Sequence, residues 1–358
     1  MNPPHPAADR YLRAFGGSCW AIDDASLEGD LLTLSGWALG PPGRAREVAF
    51  TANGRPFDEQ RFPLERGDLR DLFWYRADGA DSGFECRTRL TPAELASPAV
   101  TLHLADRGSL HPFDDTHGWY MPTPASADRA FPLPDSPRMM RTTGNDNVTN
   151  FRLTGLSTAV KLRDVLASLR RDFSSVARVL DWGCGCGRIA RFCQDWPGFA
   201  GVDIDADNAA WCRDHLAPGR FEAIPLYPPT ALPDRAFDLI FGISVMTHLA
   251  EEVQQQWLAE LHRASAPYGV VLLTILGEHA AARAGLAAED FERYALSGHT
   301  FFRTSEAIDD ALGSPGYYGT TFVTHDYVRR AWARWFSIDR ILPAYIGNHQ
   351  DLVVLRRR

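Results

Sequence analysis

The sequence predicts a two-part α/β protein in which a small all-β sandwich precedes a doubly wound sheet flanked by helices. Its 358 residues exceed what one core holds, since single cores stop growing at roughly 250 residues. The first ~120 residues carry apolar alternation with period two, broken by turn residues. Beyond a proline-rich stretch, short apolar strands alternate with helical spacing, the signature of a doubly wound sheet.

In the first part Leu32, Leu34 and Gly36 alternate with Thr33, Ser35 and Trp37. Phe84, Cys86, Thr88 and Leu90 repeat the pattern, as do Val100, Leu102 and Leu104. Pro41-Pro42-Gly43, Asn53-Gly54 and Asp78-Gly79 are turn signals between such runs. These features place a β-sandwich accessory domain over 1–120, a proline-rich linker over 121–140 and a second domain over 141–358. In the second domain Ala159–Leu169 has helical spacing, Val179-Leu180 reads as a strand, and strands and helices then alternate to the end.

Composition narrows the function. The net charge is −8 and the arginines are scattered, which disfavours a nucleic-acid partner. Residues 1–10 lack the order of a signal peptide, so a cytoplasmic protein is expected. The run Val270–Leu276 is far shorter than the ~20 residues of a membrane span and reads as a buried strand. Cys184, Cys186, Cys193 and Cys212 lie close in sequence without paired metal-knuckle spacing, so no metal site is assigned and free thiols are expected. The terminal Arg356, Arg357 and Arg358 read as a solvated chain end.

The chemistry lies in Val179-Leu180-Asp181-Trp182-Gly183-Cys184-Gly185-Cys186-Gly187-Arg188, which runs from a strand through three alternating glycines into an expected helix, Ile189–Gln194. Glycines let a ligand approach the backbone, and a helix N-terminus there would suit a carboxylate or phosphate. Gly201-Val202-Asp203-Ile204-Asp205 follows one unit later. Asp203 is suited to the two ribose hydroxyls, Ile204 to an adenine face, and Asp205 to a helix cap. Gly185-x-Gly187-x-x-Ala190 also fits a dinucleotide fingerprint. Asp181 opposes that reading, because an acid before the glycines suits an amino group and not a pyrophosphate.

With Phe237-Asp238-Leu239-Ile240, Ser244-Val245-Met246-Thr247-His248-Leu249, Gln256-Trp257-Leu258 and the turn Pro267-Tyr268-Gly269, these residues resemble class I S-adenosylmethionine-dependent methyltransferases from about residue 144 to 358. The resemblance implies a Rossmann-like, seven-stranded sheet whose last two strands form a hairpin, here Ser337–Tyr345 and Gln350–Leu355. It implies S-adenosylmethionine as cofactor, with Asp181, Gly183, Cys184, Gly185 and Gly187 at the methionine end, Asp203 and Ile204 at the nucleoside, and Ser244 beside them. Phe151 and Asn147 are candidates for a segment folded over the cofactor. The proline-rich stretch Glu222–Pro233 leaves the residue that reads the adenine amino group unassigned. The N-terminal part resembles a β-sandwich module attached to glycan-modifying transferases, with Trp37 either a core residue or a sugar platform.

Ligands of such sheets sit beyond the carboxyl ends of the strands. His248 is the first candidate for a general base and His349 the second, because histidine titrates near neutrality. Thr247, His279, Tyr317, Tyr318 and Gln350 are candidates to contact the acceptor, with Gly298–His325 as an inserted substrate loop. The expected activity is O-methylation of a sugar, glycan or specialised small metabolite. Cyclisation or aminocarboxypropyl transfer from the same cofactor, NAD-dependent oxidoreduction, and non-catalytic glycan binding remain as alternatives.

Overall fold

The computed structural model describes residues 8–15, 19–40, 48–106, 118–169, 176–303, 314 and 316–358. The Pro41-Pro42-Gly43 turn, most of residues 1–10 and part of the inserted loop lie outside the described residues.

A short helix α1 (Ala8–Phe15) leads into eight strands: β1 (Cys19–Glu28), β2 (Leu31–Leu39), β3 (Val48–Ala52), β4 (Arg55–Pro56), β5 (Glu59–Glu65), β6 (Asp81–Arg89), β7 (Ala99–Asp106) and β8 (Trp119–Pro122). Helices α2 (Gly67–Leu72) and α3 (Pro92–Ala96) interrupt them. The strands form two antiparallel four-stranded sheets, in the orders β1-β2-β6-β5 and β4-β3-β7-β8. The alternating residues turn inward to one core: Leu32, Leu34, Phe84 and Cys86 from one sheet meet Phe50, Val100, Leu102 and Leu104 from the other. Asn53 and Gly54, both with positive φ, make the tight turn between β3 and β4.

The proline-rich stretch is packed structure and not a solvated tether. Asp128 is fully buried within it and holds Arg152 through two bonds of 2.7 and 2.6 Å, with Arg191 at 3.3 Å. Next come α4 (Ser136–Thr143), N-capped by Asp135, and α5 (Val148–Ser168), N-capped by Asn147. The buried side of α5 mixes apolar residues, Phe151, Leu153, Leu162, Val165 and Leu166, with the polar Asn150, Arg152, Ser157 and Lys161. Asn150 donates to the Asp23 carbonyl, Ser157 accepts from the Tyr120 amide and Lys161 donates to the Tyr345 carbonyl. Each of these three side chains thereby has a partner, which offsets the cost of its burial.

The second sheet comprises β9 (Val179–Trp182), β10 (Phe199–Asp203), β11 (Arg220–Ala223), β12 (Phe237–Gly242), β13 (Ser265–Ile275), β16 (Ser337–Ile346) and β17 (Gln350–Arg356). Its order is β11-β10-β9-β12-β13-β17-β16, parallel except for β17, which lies antiparallel between β13 and β16. Its strands are covered on both faces. Leu239 and Phe241 pack with α5 and with α6 (Ala206–His215), whereas Ile240, Val271 and Leu273 pack with Trp257, Leu258 and Leu261 of α7 (Glu251–Ala264). The expected hairpin is present, longer by one residue at the end of each strand. Of the terminal arginines only Arg358 is exposed: Arg357 is buried on the Ser265 carbonyl, and Arg356 pairs with Asp339.

After β13 come α8 (Glu278–Arg283) and α9 (Ala288–Ser297), and the inserted stretch then holds the hairpin β14 (His299–Arg303) with β15 (Gly319–Val323), before α10 (His325–Ala331). Helices α8 and α9 and Phe322 share a further core with Tyr11, Trp37, Phe73 and Tyr75 of the N-terminal part. Trp37 is buried there beneath the Arg283 guanidinium, 4.9 Å from its ring centroid, and offers no face to a sugar. Among the described residues no helix is long and apolar enough to cross a membrane.

Candidate active site

A cavity opens beyond the carboxyl ends of β9, β10 and β12, where the strand order reverses. Its floor is the glycine loop. Gly183 and Gly185 adopt φ of +80° and +53°, and a Cβ on Gly185 would lie 2.6 Å from Thr142 Cγ2. Only glycine fits such a conformation with a neighbour so close. Cys184, also at the cavity, is a buried thiol pushed upward in pKa by its contact with Cys212 and by burial.

The helix expected at Ile189–Gln194 is absent; a single 3-10 turn, Ala190–Phe192, stands in its place. Pro197 and the left-handed Gly198 follow almost at once, and β10 begins at Phe199, so the crossover has no room for a longer helix. No helix dipole from this crossover therefore serves the ligand's anionic end. Arg188 lines the cavity instead, with burial depressing its pKa and the nearby Asp181 opposing that effect. The glycine pattern drew attention away from this adjacent cation.

Asp203 lines the cavity at the end of β10. Its carboxylate accepts from the Gly185 amide at 2.6 Å and the Asp205 amide at 2.8 Å, while burial, partly offset by those bonds, lifts its pKa to about 6. Asp205 caps α6. Asp181 is buried, and its Oδ2 has no hydrogen-bond donor among the described residues. Burial and the Asp203 charge raise its pKa well above the usual carboxylate range, against the pull of Arg188. Ile204 and, from the proline-rich stretch, Ile224 add apolar walls.

The covering segment differs from the expected one. Asn147 caps α5 and donates to Asp24 of β1, and Phe151 is buried against Met139 and Cys186 behind the glycine loop. Neither lines the cavity. Arg141 and Thr142 of α4 do, latched by Arg141 to Asp205 at 2.9 Å and Asp207 at 2.7 Å. Thr142 opens the polar stretch 142–151 that the resemblance marks as a covering segment, whereas Arg141, one residue earlier on α4, carries no such mark.

On the far wall His248 ends a 3-10 turn, Met246–His248, after β12. Its Nδ1 lies 2.7 Å from the Gly319 carbonyl oxygen, and its ring stacks on Tyr318 with centroids 4.1 Å apart. A carbonyl only accepts, so Nδ1 carries the proton and Nε2 keeps its lone pair. Burial drags the pKa down to about 4, despite the Gly319 bond, and the ring is neutral at pH 7. Tyr317 also lines the cavity, but its hydroxyl is committed to the Leu226 carbonyl at 2.5 Å and to Trp257 Nε1 at 3.3 Å.

Other candidates lie elsewhere. A Cβ on Gly187 would strike Leu216 Cδ1 at 2.2 Å, so this glycine serves packing beneath the loop. Thr247 is buried outside the cavity wall. His349 lies within the electrostatic reach of Arg283 and His279, and burial with these two neighbours lowers its pKa well below the usual range. That group sits toward Trp37 and does not reach the cavity, which removes His349 as base and His279 as acceptor contact. Gln350 does not line the cavity either; it donates to Ser244 Oγ at 2.6 Å, and Ser244 does line it.

Residues 179–269 match the family model described as a methyltransferase domain, and they carry the glycine loop, Asp203, Ser244 and His248. Over these residues the chain carries a methyltransferase domain. S-adenosylmethionine is the methyl donor that the class I resemblance implies, and the cavity residues fit it: Arg188 is a cation suited to a carboxylate and Asp203 an acceptor suited to ribose hydroxyls, whereas Asp181, expected at the methionine end, is buried and does not line the cavity. Among solved structures the chain is similar to a magnesium protoporphyrin IX methyltransferase from Synechocystis PCC 6803 with bound S-adenosylhomocysteine, at 15% identity over 62% of this chain and 94% of that one, TM-score 0.41. An amino pentose methyltransferase from Micromonospora echinaspora gives 15% identity over 63% and 98%, TM-score 0.41. The PH0226 protein from Pyrococcus horikoshii OT3 gives 17% identity over 56% and 90%, TM-score 0.40.

Proposed function

We propose that this methyltransferase transfers the methyl group of S-adenosylmethionine to a hydroxyl of a small organic acceptor, a sugar or specialised metabolite. The observation that carries the reading is His248, a neutral imidazole in the cavity wall whose Nδ1–H is spent on Gly319 and whose Nε2 is the remaining basic atom. A hydroxyl must lose its proton as it attacks, and a positioned base supplies this step.

When bound, S-adenosylmethionine supplies an electrophilic methyl on a sulfonium. The chain's own residues do the rest. Asp203 receives ribose hydroxyls, Ile204 and Ile224 cover the base, Arg188 holds the carboxylate of the amino-acid end, and Arg141 and Thr142 close over the loop. His248 Nε2 takes the hydroxyl proton, while Tyr318 fixes the imidazole plane by stacking. Alignment of acceptor and donor supplies much of the acceleration.

The NAD alternative is disfavoured by the antiparallel β17 inside the sheet, by the missing helix after the glycines and by the buried Asp181 before them. Calorimetry with S-adenosylhomocysteine and with NAD tests the reading, with micromolar binding expected for the first alone. Mass spectrometry of the products separates methyl transfer, which leaves S-adenosylhomocysteine, from aminocarboxypropyl transfer, which leaves methylthioadenosine.

A further inference from the structure

The turn between β16 and β17 joins the N-terminal sandwich to the cavity. Gly347 and Asn348 both have positive φ, at +63° and +52°, and the His349 amide donates to the Ile346 carbonyl at 3.2 Å, which makes a tight hairpin turn. Asn348 is fully buried, and its contacts cross to the other part of the chain. Its Nδ2 donates to the Trp20 carbonyl of β1 at 3.1 Å, and its carbonyl receives Cys19 Sγ at 3.4 Å and Arg283 Nη1 at 2.8 Å. Arg283 is in turn seated on Trp37 of β2.

Two residues beyond Asn348, Gln350 Nε2 donates to Ser244 Oγ at 2.6 Å. Ser244 needs holding: it is a non-glycine residue at φ +61°, a conformation that side-chain-bearing residues rarely adopt. Its amide is tied to Thr274 Oγ1 at 2.7 Å, and Gln350 ties its hydroxyl. Strain of this kind persists where the surroundings over-determine it. The residue so held stands in the wall of the donor cavity, four positions before His248.

We infer that the N-terminal sandwich is a working part of the donor site: through Trp20 it fixes the Asn348 turn, and the turn presents Gln350, a positioning residue that sets Ser244 in the cavity wall. The inference rests on the cavity being the S-adenosylmethionine site. It gives the sandwich a task inside the reaction and not as a separate glycan-binding appendage.

The test uses the full-length protein and S-adenosylhomocysteine as probe, read by calorimetry. Gln350→Met keeps the bulk and removes the donor; Asn348→Gly keeps the left-handed turn and removes the link to Trp20. Each is expected to weaken binding roughly three- to tenfold, the loss of about one hydrogen bond. The double variant should be little worse than the weaker single, because both act on one chain of contacts. Thermal melts of all four proteins identify any that fail to fold. Should Asn348→Gly be unfolded, weakened binding by a folded Gln350→Met supports the positioning role, and unchanged binding overturns it. A lowered melting temperature with unchanged affinity, or fully additive losses, overturns the inference. Failure of the unaltered protein to bind the probe would instead refute the donor-site assignment.

Discussion

His248 and Tyr318 lie face to face, 4.1 Å between ring centroids and 16° from parallel, with His248 Nδ1 anchored on the carbonyl of the very next residue, Gly319. One short segment of the inserted hairpin thus sets both the tilt and the tautomer of the imidazole. Replacement of His248 by Ala is expected to lower kcat by about 10²–10⁴, the usual worth of a general base. Affinity for S-adenosylhomocysteine should stay within about twofold. Steady-state kinetics beside calorimetry decides; a fully active variant removes His248 from the reaction.

The pH response of Asp203 has a definite sign. Its pKa is raised by burial to about 6 from 3.8, so its contribution to folding is complete below pH 3.8 and is lost as pH rises through 6. Relative to the parent, Asp203→Asn should therefore be more stable at pH 7.5 than at pH 4, on top of a constant cost from the backbone N–H that its amide group no longer accepts. The same variant should bind S-adenosylhomocysteine poorly at every pH. Melting curves at the two pH values check the first part, and a relative stability that grows on acidification would contradict it.

Gly185 and Gly187 should separate binding from folding. Ala at 185 faces Thr142 at the cavity cover, whereas Ala at 187 faces Leu216 in the core. Both positions have positive φ, which adds about 1 kcal/mol of strain to either substitution. The expected outcome is a large loss of ligand affinity for Gly185→Ala with modest destabilisation. Gly187→Ala should show the larger loss of stability, from overpacking worth about 1–3 kcal/mol. Equal effects of the two on both readouts would contradict the division of labour.

Asp128 is the buried anion between Arg152 and Arg191. Its replacement by Ala leaves two interior guanidiniums without their carboxylate and should cost about 3–5 kcal/mol. Urea denaturation measures this. A cost below about 1 kcal/mol would mean that water reaches the cluster.

How much of this was legible in the sequence depends on which residues carry the signal. The sandwich strands and the sheet strands announce themselves because their buried side chains are apolar and regularly spaced. The start of α5 does not, since its buried face interrupts Phe151 and Leu153 with Asn150, Arg152 and Ser157, whose burial depends on partners far along the chain. The expected helix after the glycines gave way to the short crossover before Pro197. His279 and His349 follow strands β13 and β16 but do not line the cavity, and His349 is instead buried near Arg283. Arg188 and Arg141 carried no periodic mark at all, because a cation at a ligand is placed by tertiary structure.

The core that Leu276, Ala281, Phe291 and Phe322 share with Tyr11, Trp37 and Phe73 makes the two halves poor cassettes. Tyr75 and Tyr11 even lend their hydroxyls to the carbonyls of Ala282 and Leu286 across the boundary. Expressed alone, a piece starting near residue 141 would carry an uncovered greasy flank and self-associate. Swapping the leading half for that of another protein would demand a matched set of aromatic residues.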